Sequence, residues 1–302
     1  MSEKYDYSNP HAGITPGRVK EISSTSNPIV KEIKGLALKK NRDAQNLFMA
    51  EGLKLVTDAL EMGWKVRTLV YGKQMAEDAA ENVGSGRNHL AEISEQARQQ
   101  GAYILEVTNK VLTAISRKDN PQMVIGIFEQ QWFSIDDLAN EASNPHDILV
   151  GLDRVRDPGN LGTIIRTGDA SGVKGMVLIG DTTDPFSLEA VRATMGSIFN
   201  MKVARISQED FIAWSKNYKG EIVGTHLEGA VDYRAIDYVT KPQFLLMGNE
   251  QKGLPAELSE CCQKLAYIPM AGKADSLNLA ISTGIMLFEM KRDALVMPEG
   301  RA

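Results

Sequence analysis

The sequence predicts an α/β protein in two parts, a smaller α/β region followed by a mostly parallel sheet with helices on both faces. Three observations carry this. Apolar runs of strand length recur along the chain, and stretches of about 10–15 residues with helical spacing lie between most of them. In the second half the runs are continuously apolar instead of alternating, as expected of strands covered on both faces. With 302 residues, 43% of them hydrophobic and 24% charged, the chain has material for two cores.

Residues 1–18 combine Pro, Gly, Ser and Tyr without periodicity and are expected to be a loose tail. In ISSTSNPIVKEIKGLALKK a Ser/Asn-Pro start precedes Ile29, Val30, Ile33, Leu36 and Leu38, which are spaced as one helix face. A second helical pattern is read over 43–62, ending near Gly63. Strands follow at 66–72, 102–107 and 123–129, with ENVGSGRN (81–88) as a loop. The small α/β domain thus covers 19–130. The polar, acidic stretch 131–146 reads as a linker. Beyond it strands are expected at 147–153, 175–181, 199–206, 221–227, 244–249 and 265–270, within a second domain spanning 147–295 and a short tail at 296–302.

Composition excludes several classes. No apolar run reaches the length of a transmembrane helix, and the polar N-terminus carries no secretory core. The two cysteines, Cys261 and Cys262, are neighbours and build no disulfide framework, which fits a reducing cytoplasm. Four scattered histidines lack ligand spacing, so no metal is expected. No dinucleotide glycine fingerprint, phosphate-binding P-loop or serine-nucleophile elbow occurs. The net charge of -5 is uneven: seven Lys/Arg face two Glu between Arg18 and Arg42. Such a stripe is a solvated helix face or a grip on phosphate.

In a parallel sheet ligands bind beyond the carboxyl ends of the strands. Three polar, glycine-rich segments fall there: LDRVRDPGNLGTIIRTGDASG, GNEQKGLP and IPMAGKADSLN. They bring Asn160, Arg166, Glu250, Ser276 and Asn278 to one composite site. Pro158 is placed to start a helix. Asn160 and Arg166 then lie about 120° apart around that helix and almost two turns apart along it. Singly, each residue has a plain reading: Asn160 as a helix-start residue, Glu250 as a turn residue, Ser276 as an N-cap. The context of Arg166, after two isoleucines, suggests a buried and paired arginine.

The segments NLGTIIRTGDASG, LLMGNEQKGLP and IPMAGKADSLNLAISTG resemble, in this order, the three motifs of SpoU-type RNA ribose 2′-O-methyltransferases, across roughly 147–295. SNPIVKEIKGL with FMAEGLKLV is similar to the RNA-binding domain found upstream in that family. The resemblance implies a C-terminal trefoil knot, S-adenosylmethionine as cofactor, a homodimer with the site near the subunit interface, and structured RNA, ribosomal before transfer, as substrate. It assigns Asn160, Arg166, Glu250, Ser276 and Asn278 to catalysis and substrate positioning. Thr225, Leu227, Gly248, Ile268, Met270 and Leu277 fall to the cofactor, although Met270 by itself reads as core filling. Lys31, Lys34, Lys39 and Lys40 become RNA contacts. Glu250 would orient Arg166 or Asn160, and Arg166 would stabilise a developing alkoxide or grip the adjacent phosphate. The rival is a non-enzymatic RNA-binding or assembly protein of the same fold.

Overall fold

The computed structural model describes residues 11, 14–76, 85–117, 120–226 and 230–296. They form two compact units.

The first unit contains a five-stranded sheet in the order β1-β4-β3-β5-β2. Its strands are β1 (Val19–Ile22), β2 (Leu47–Glu51), β3 (Val66–Gly72), β4 (Tyr103–Val107) and β5 (Val124–Glu129). β4 runs parallel to β1 and β3, whereas β5 is antiparallel to β3 and β2. Helices α1 (Pro28–Gly35), α2 (Lys39–Gln45), α3 (Leu53–Glu61), α4 (Ser85–Gln99) and α5 (Asn109–Ser116) accompany it. Asn27 caps α1, its side chain accepting from the Ile29 N–H at 3.1 Å, and Pro28 occupies the first turn.

The helix expected over 43–62 is in fact the end of α2, strand β2 and α3. Asn46 adopts φ 55° and ends α2 in a left-handed turn; Gly52, at φ 110°, makes the turn into α3. Between them Leu47–Glu51 is buried at every position and pairs with β5. Its short apolar run fits a helix face and a buried strand equally well, and long-range pairing decides. The loop expected at 81–88 is helical from Ser85 onward, within α4, and 81–84 lie outside the described residues.

The basic stripe divides on folding. Lys31, Lys39 and Lys40 are exposed and Lys34 is half-buried. Arg42 is only 4% exposed, and its Nη1 donates to the Leu36 carbonyl at 2.7 Å, closing the end of α1.

This unit is not one continuous stretch. It comprises the chain up to Gln130 together with Phe186–Arg192, the latter from inside the region expected to be purely the second domain. Phe186 is buried with its ring 4.7 Å from that of Phe48. Arg192 donates through Nε to Glu51 Oε2 at 3.1 Å, with a closer contact from Nη2, and the Glu51 side chain is 1% exposed.

The second unit holds a seven-stranded sheet in the order β10-β12-β9-β11-β6-β7-β8, and every pairing in it is parallel. The strands are β6 (Ile148–Asp153), β7 (Gly175–Ile179), β8 (Val203–Ile206), β9 (Glu221–Thr225), β10 (Val231–Asp232), β11 (Gln243–Met247) and β12 (Lys264–Tyr267). The run 199–206 yields a shorter strand than expected, because Ser197–Phe199 forms a 3₁₀ turn first. Part of the stretch expected as a linker is helix α6 (Ile135–Glu141), started by a capping box between Ser134 and Asp137. Its Ile135 and Leu138 enter the core of this unit. Phe211, Trp214, Tyr218 and Phe244 pack as an aromatic cluster in and around that core, with ring centroids 4.9–6.0 Å apart.

Helices α7 (Pro158–Ser171), α8 (Leu188–Thr194), α9 (Gln208–Ser215), α10 (Ala256–Ser259) and α11 (Leu279–Met290) follow in chain order. α11 packs on α7, where a Cβ on Gly284 would lie 3.5 Å from the Thr167 methyl. Because β6, β11, β9 and β12 are adjacent and parallel, the segments that leave their carboxyl ends emerge at one edge of the sheet. Among the described residues no helix is long and apolar enough to cross a membrane, and no group of three His, Cys, Asp or Glu side chains could hold a metal ion. Both cysteines are free, and burial pushes the Cys262 thiol up to about 12.

Candidate active site

At that edge two cavities adjoin. The larger, about 610 Å³, is walled by Thr225 and His226 after β9, residues 247–254 after β11, and Ile268, Met270, Asp275, Ser276 and Leu277 after β12. The smaller, about 530 Å³, is polar and lined by Arg156, Asp157, Asn160, Asn249, Glu250, Gln251 and Asn278. Asn249, Glu250 and Gln251 border both.

The turn after β11 is built tightly. A Cβ on Gly248 would lie 2.3 Å from the Gly253 carbonyl carbon, so only glycine fits. Asn249 and Gly253 exchange backbone hydrogen bonds of 3.2 and 2.9 Å, and Gly253 takes φ 64°. The Asn249 side chain secures the turn twice over. Its Oδ1 accepts the N–H groups of Gln251 and Lys252, and its Nδ2 donates to the Arg154 carbonyl at 2.8 Å. Arg154 is itself held at φ 48° by a two-pronged bond to the buried Asp153 carboxylate, at 2.7–3.0 Å.

Glu250 is thereby presented to the start of α7. Its carboxylate accepts the N–H groups of Arg156 and Asp157 at 3.3–3.4 Å and the Asn160 Nδ2 at 3.5 Å. These are long bonds of the kind that tighten when a ligand fills a site. N–H groups at a helix start have no partner within the helix and favour an anion there. Asp157 caps α7, accepting from the Asn160 N–H at 2.6 Å. The Asn160 Oδ1 accepts from Asn278 Nδ2 at 2.9 Å. A directed chain of amide donors therefore runs Asn278 to Asn160 to Glu250, joining the segments after β12, β6 and β11.

Asn278 is also the N-cap of α11: its Oδ1 accepts the N–H groups of Ala280 and Ile281 at 2.9 and 3.3 Å. The cap read from sequence at Ser276 thus belongs two residues later, and Ser276 instead stays exposed on the cavity wall. The two roles of Asn278 can be separated. Asn278→Asp should keep the cap, with a melting temperature near the parent's, yet lose the donor to Asn160 and at least about tenfold in activity. Asn278→Ala should lose both, with about 0.5–2 kcal/mol of stability. Thermal melts and turnover measured side by side check this.

Of the remaining expected residues, Thr225, Gly248, Ile268, Met270 and Leu277 line the larger cavity. Thr225 Oγ1 lies 3.6 Å from the Met247 sulfur. Leu227 lies outside the described residues. Arg166 departs from expectation. It is exposed, lines neither cavity, and is not the partner of Glu250, whose contacts go to Asn160, Asn249 and the α7 N–H groups. The helix carries it about 9 Å along its axis from Asn160. Sequence reasoning missed Asn249 and His226 as wall residues. The signal for Asn249 was available, since an Asn side chain just after a strand readily bonds the backbone N–H two residues on and so builds a turn, as Asn249 does with Gln251.

The larger cavity fits S-adenosylmethionine in chemistry. Met247, Leu254 and Leu279 give it apolar surface, while Glu250 and Asp275 supply the negative charge that suits a sulfonium and an ammonium.

The comparisons with known proteins agree with this geometry. Residues 147–288 match the SpoU rRNA methylase family, and residues 27–126 match the MRM3-like substrate binding domain. The chain is 53% identical to a crystal structure of an rRNA methyltransferase from Sinorhizobium meliloti, over 92% of this chain and 99% of that one, with a TM-score of 0.83. A structure from the same organism, described as an AdoMet-bound rRNA methyltransferase, is 54% identical with the same coverage and a TM-score of 0.82. The 23S rRNA (uridine(2479)-2′-O)-methyltransferase of Streptomyces viridochromogenes is 30% identical over 256 residues, 82% of this chain and 83% of that protein. With its three strand-end segments interlocked around two cavities, and with relatives that align along nearly its whole length, the chain belongs to the SpoU rRNA methylase family.

Proposed function

We propose that this protein methylates a ribose 2′-hydroxyl of ribosomal RNA, with S-adenosylmethionine held in the larger cavity and the acceptor nucleotide in the smaller. The observation that carries the reading is the Asn278–Asn160–Glu250 chain, which runs along the smaller cavity to a carboxylate that borders both. The names of the relatives support the RNA and the reaction.

When bound, S-adenosylmethionine supplies an electrophilic methyl group, and in-line transfer then needs alignment and a more nucleophilic oxygen, without a metal. Backbone groups of Gly248, Ile268 and Leu277 hold the cofactor, with Thr225 and Met270 beside them. Asn160 and Asn278 offer amides to orient the acceptor hydroxyl, and Ser276 lies in the wall of the adjoining cofactor cavity. Glu250 fixes Asn160 and sets the local negative charge. Arg166 stabilises the developing alkoxide as a fixed cation, since a guanidinium is a poor base.

Because Arg166 lies outside both cavities of its own chain, we assign it to the site of a second copy in a homodimer. α11 exposes an apolar stripe suited to that contact: Ile281 and Phe288, seven residues apart on one side of the helix, are 55% and 51% exposed. The family resemblance further suggests a trefoil-knotted C-terminal segment, and a reducing cytoplasm, where ribosomal RNA is modified, suits the two free thiols.

The decisive experiment maps ribose methylation across total RNA from cells with and without this protein, using resistance to alkaline cleavage. One ribosomal linkage should lose its protection when the protein is absent. A changed site in transfer RNA would move the substrate, and an unchanged map together with no S-adenosylmethionine binding by calorimetry would leave a non-enzymatic RNA-binding protein.

Lys31, Lys34, Lys39 and Lys40 are proposed to grip RNA phosphate on the first unit. Changing all four to glutamine should weaken RNA binding and flatten its dependence on salt, by about 0.7–0.9 in the log–log slope for each lysine in contact. A retained slope would identify a merely solvated face.

A further inference from the structure

We infer that Arg156 forms a phosphodiester subsite in the smaller cavity, held shut in the free protein by Asp181. The inference rests on the ribose-methyltransferase reading and assigns a residue that the three motifs do not single out. The 2′-oxygen of an RNA ribose sits one carbon away from the 3′-phosphate. A cavity that presents this oxygen to a methyl donor must therefore also accommodate a phosphate anion. Among the residues lining the smaller cavity Arg156 is the single cation, since Arg166 lines neither cavity.

The neighbouring carboxylates do not consume that cation. Asp157 is engaged in capping α7, and Glu250 accepts backbone and amide N–H groups. The guanidinium of Arg156 instead reaches Asp181, Nη1 donating to Oδ2 at 2.7 Å. The two side chains are 62% and 78% exposed, so this pair is weak and easily exchanged. A phosphate offers the same fork of oxygens with more charge and fits a planar guanidinium better. RNA arriving at the site thus displaces Asp181, and Arg156 fixes the sugar-phosphate linkage whose 2′-oxygen faces Asn160.

The test uses the full-length protein and ribosomal RNA purified from cells that lack it. RNA affinity is measured by filter binding, methyl transfer with labelled S-adenosylmethionine, and cofactor affinity by calorimetry. Arg156→Ala should raise both the RNA Kd and the KM about 10- to 100-fold and flatten the salt dependence of binding by about one phosphate contact. Its cofactor affinity should stay within about twofold, and Arg156→Lys should recover part of the loss. Asp181→Asn should tighten RNA binding by up to about fivefold in the parent and not at all in the Arg156→Ala background.

RNA affinity and salt slope unchanged in Arg156→Ala would overturn the subsite. A gain from Asp181→Asn that persists without Arg156 would overturn the gating. Should the parent bind RNA and transfer no methyl group, the enzyme reading would fail, while weaker binding by Arg156→Ala would still uphold the subsite.

Discussion

Arg192→Met is expected to lower the stability of the first unit by about 3–5 kcal/mol, the usual consequence of removing one partner from a buried ion pair. Glu51 is the reason. Its side chain is 1% exposed, and one carboxylate oxygen is already without a hydrogen-bond partner. Deleting the arginine leaves a buried charge with nothing to compensate it. Hydrogen exchange of the β2 amides, Leu47–Glu51, is the sharpest readout, since that strand carries the orphaned carboxylate. Adding Glu51→Gln to Arg192→Met should return much of the loss, because both charges are then gone. Equal exchange rates in parent and Arg192→Met would show the pair to be energetically silent. The same reasoning warns against cutting the chain at Gln130 to obtain the first unit alone. Such a fragment lacks Phe186, whose ring packs on Phe48, as well as Arg192.

Arg166→Ala is expected to slow methyl transfer about 100- to 1000-fold, the range found when one preorganised charge stabiliser is removed. S-adenosylmethionine affinity should stay within about twofold, because the arginine lines neither cavity of its own chain. Equal loss of both quantities would make the arginine structural. Mixing decides which chain it serves. Arg166→Ala and Asn160→Ala proteins, each inactive alone, should recover up to about a quarter of parental activity when exchanged into mixed dimers. In such a dimer one site receives both an intact Asn160 and an intact Arg166 from opposite copies. No recovery after verified subunit exchange would return Arg166 to its own chain's site.

Much of the fold was legible locally. The continuous apolar runs from Ile148 to Tyr267 are strands because a parallel sheet covered by helices buries both faces of each strand. Asn27-Pro28 and Asp157-Pro158 start helices because capping chemistry is a property of a few adjacent residues. Less legible were β2 and α6, whose short apolar and polar patterns suit more than one state until a partner strand or core selects among them.

By itself the sequence determined the strand–helix alternation, the three polar strand ends and the residue types available for chemistry there. Tertiary structure alone decided what those residues do. Asn278 caps its own helix, yet it also bonds Asn160 across 118 positions. Glu250 serves the start of α7 and not Arg166, because a helix turns and rises and leaves that arginine beyond the cavities. Arg42, apparently part of a basic stripe, is buried against the Leu36 carbonyl. Caps, turns and burial on both faces are encoded by neighbours within a few residues. Ion pairs and site geometry depend on distances between segments far apart in the chain, and those distances exist only once it has folded.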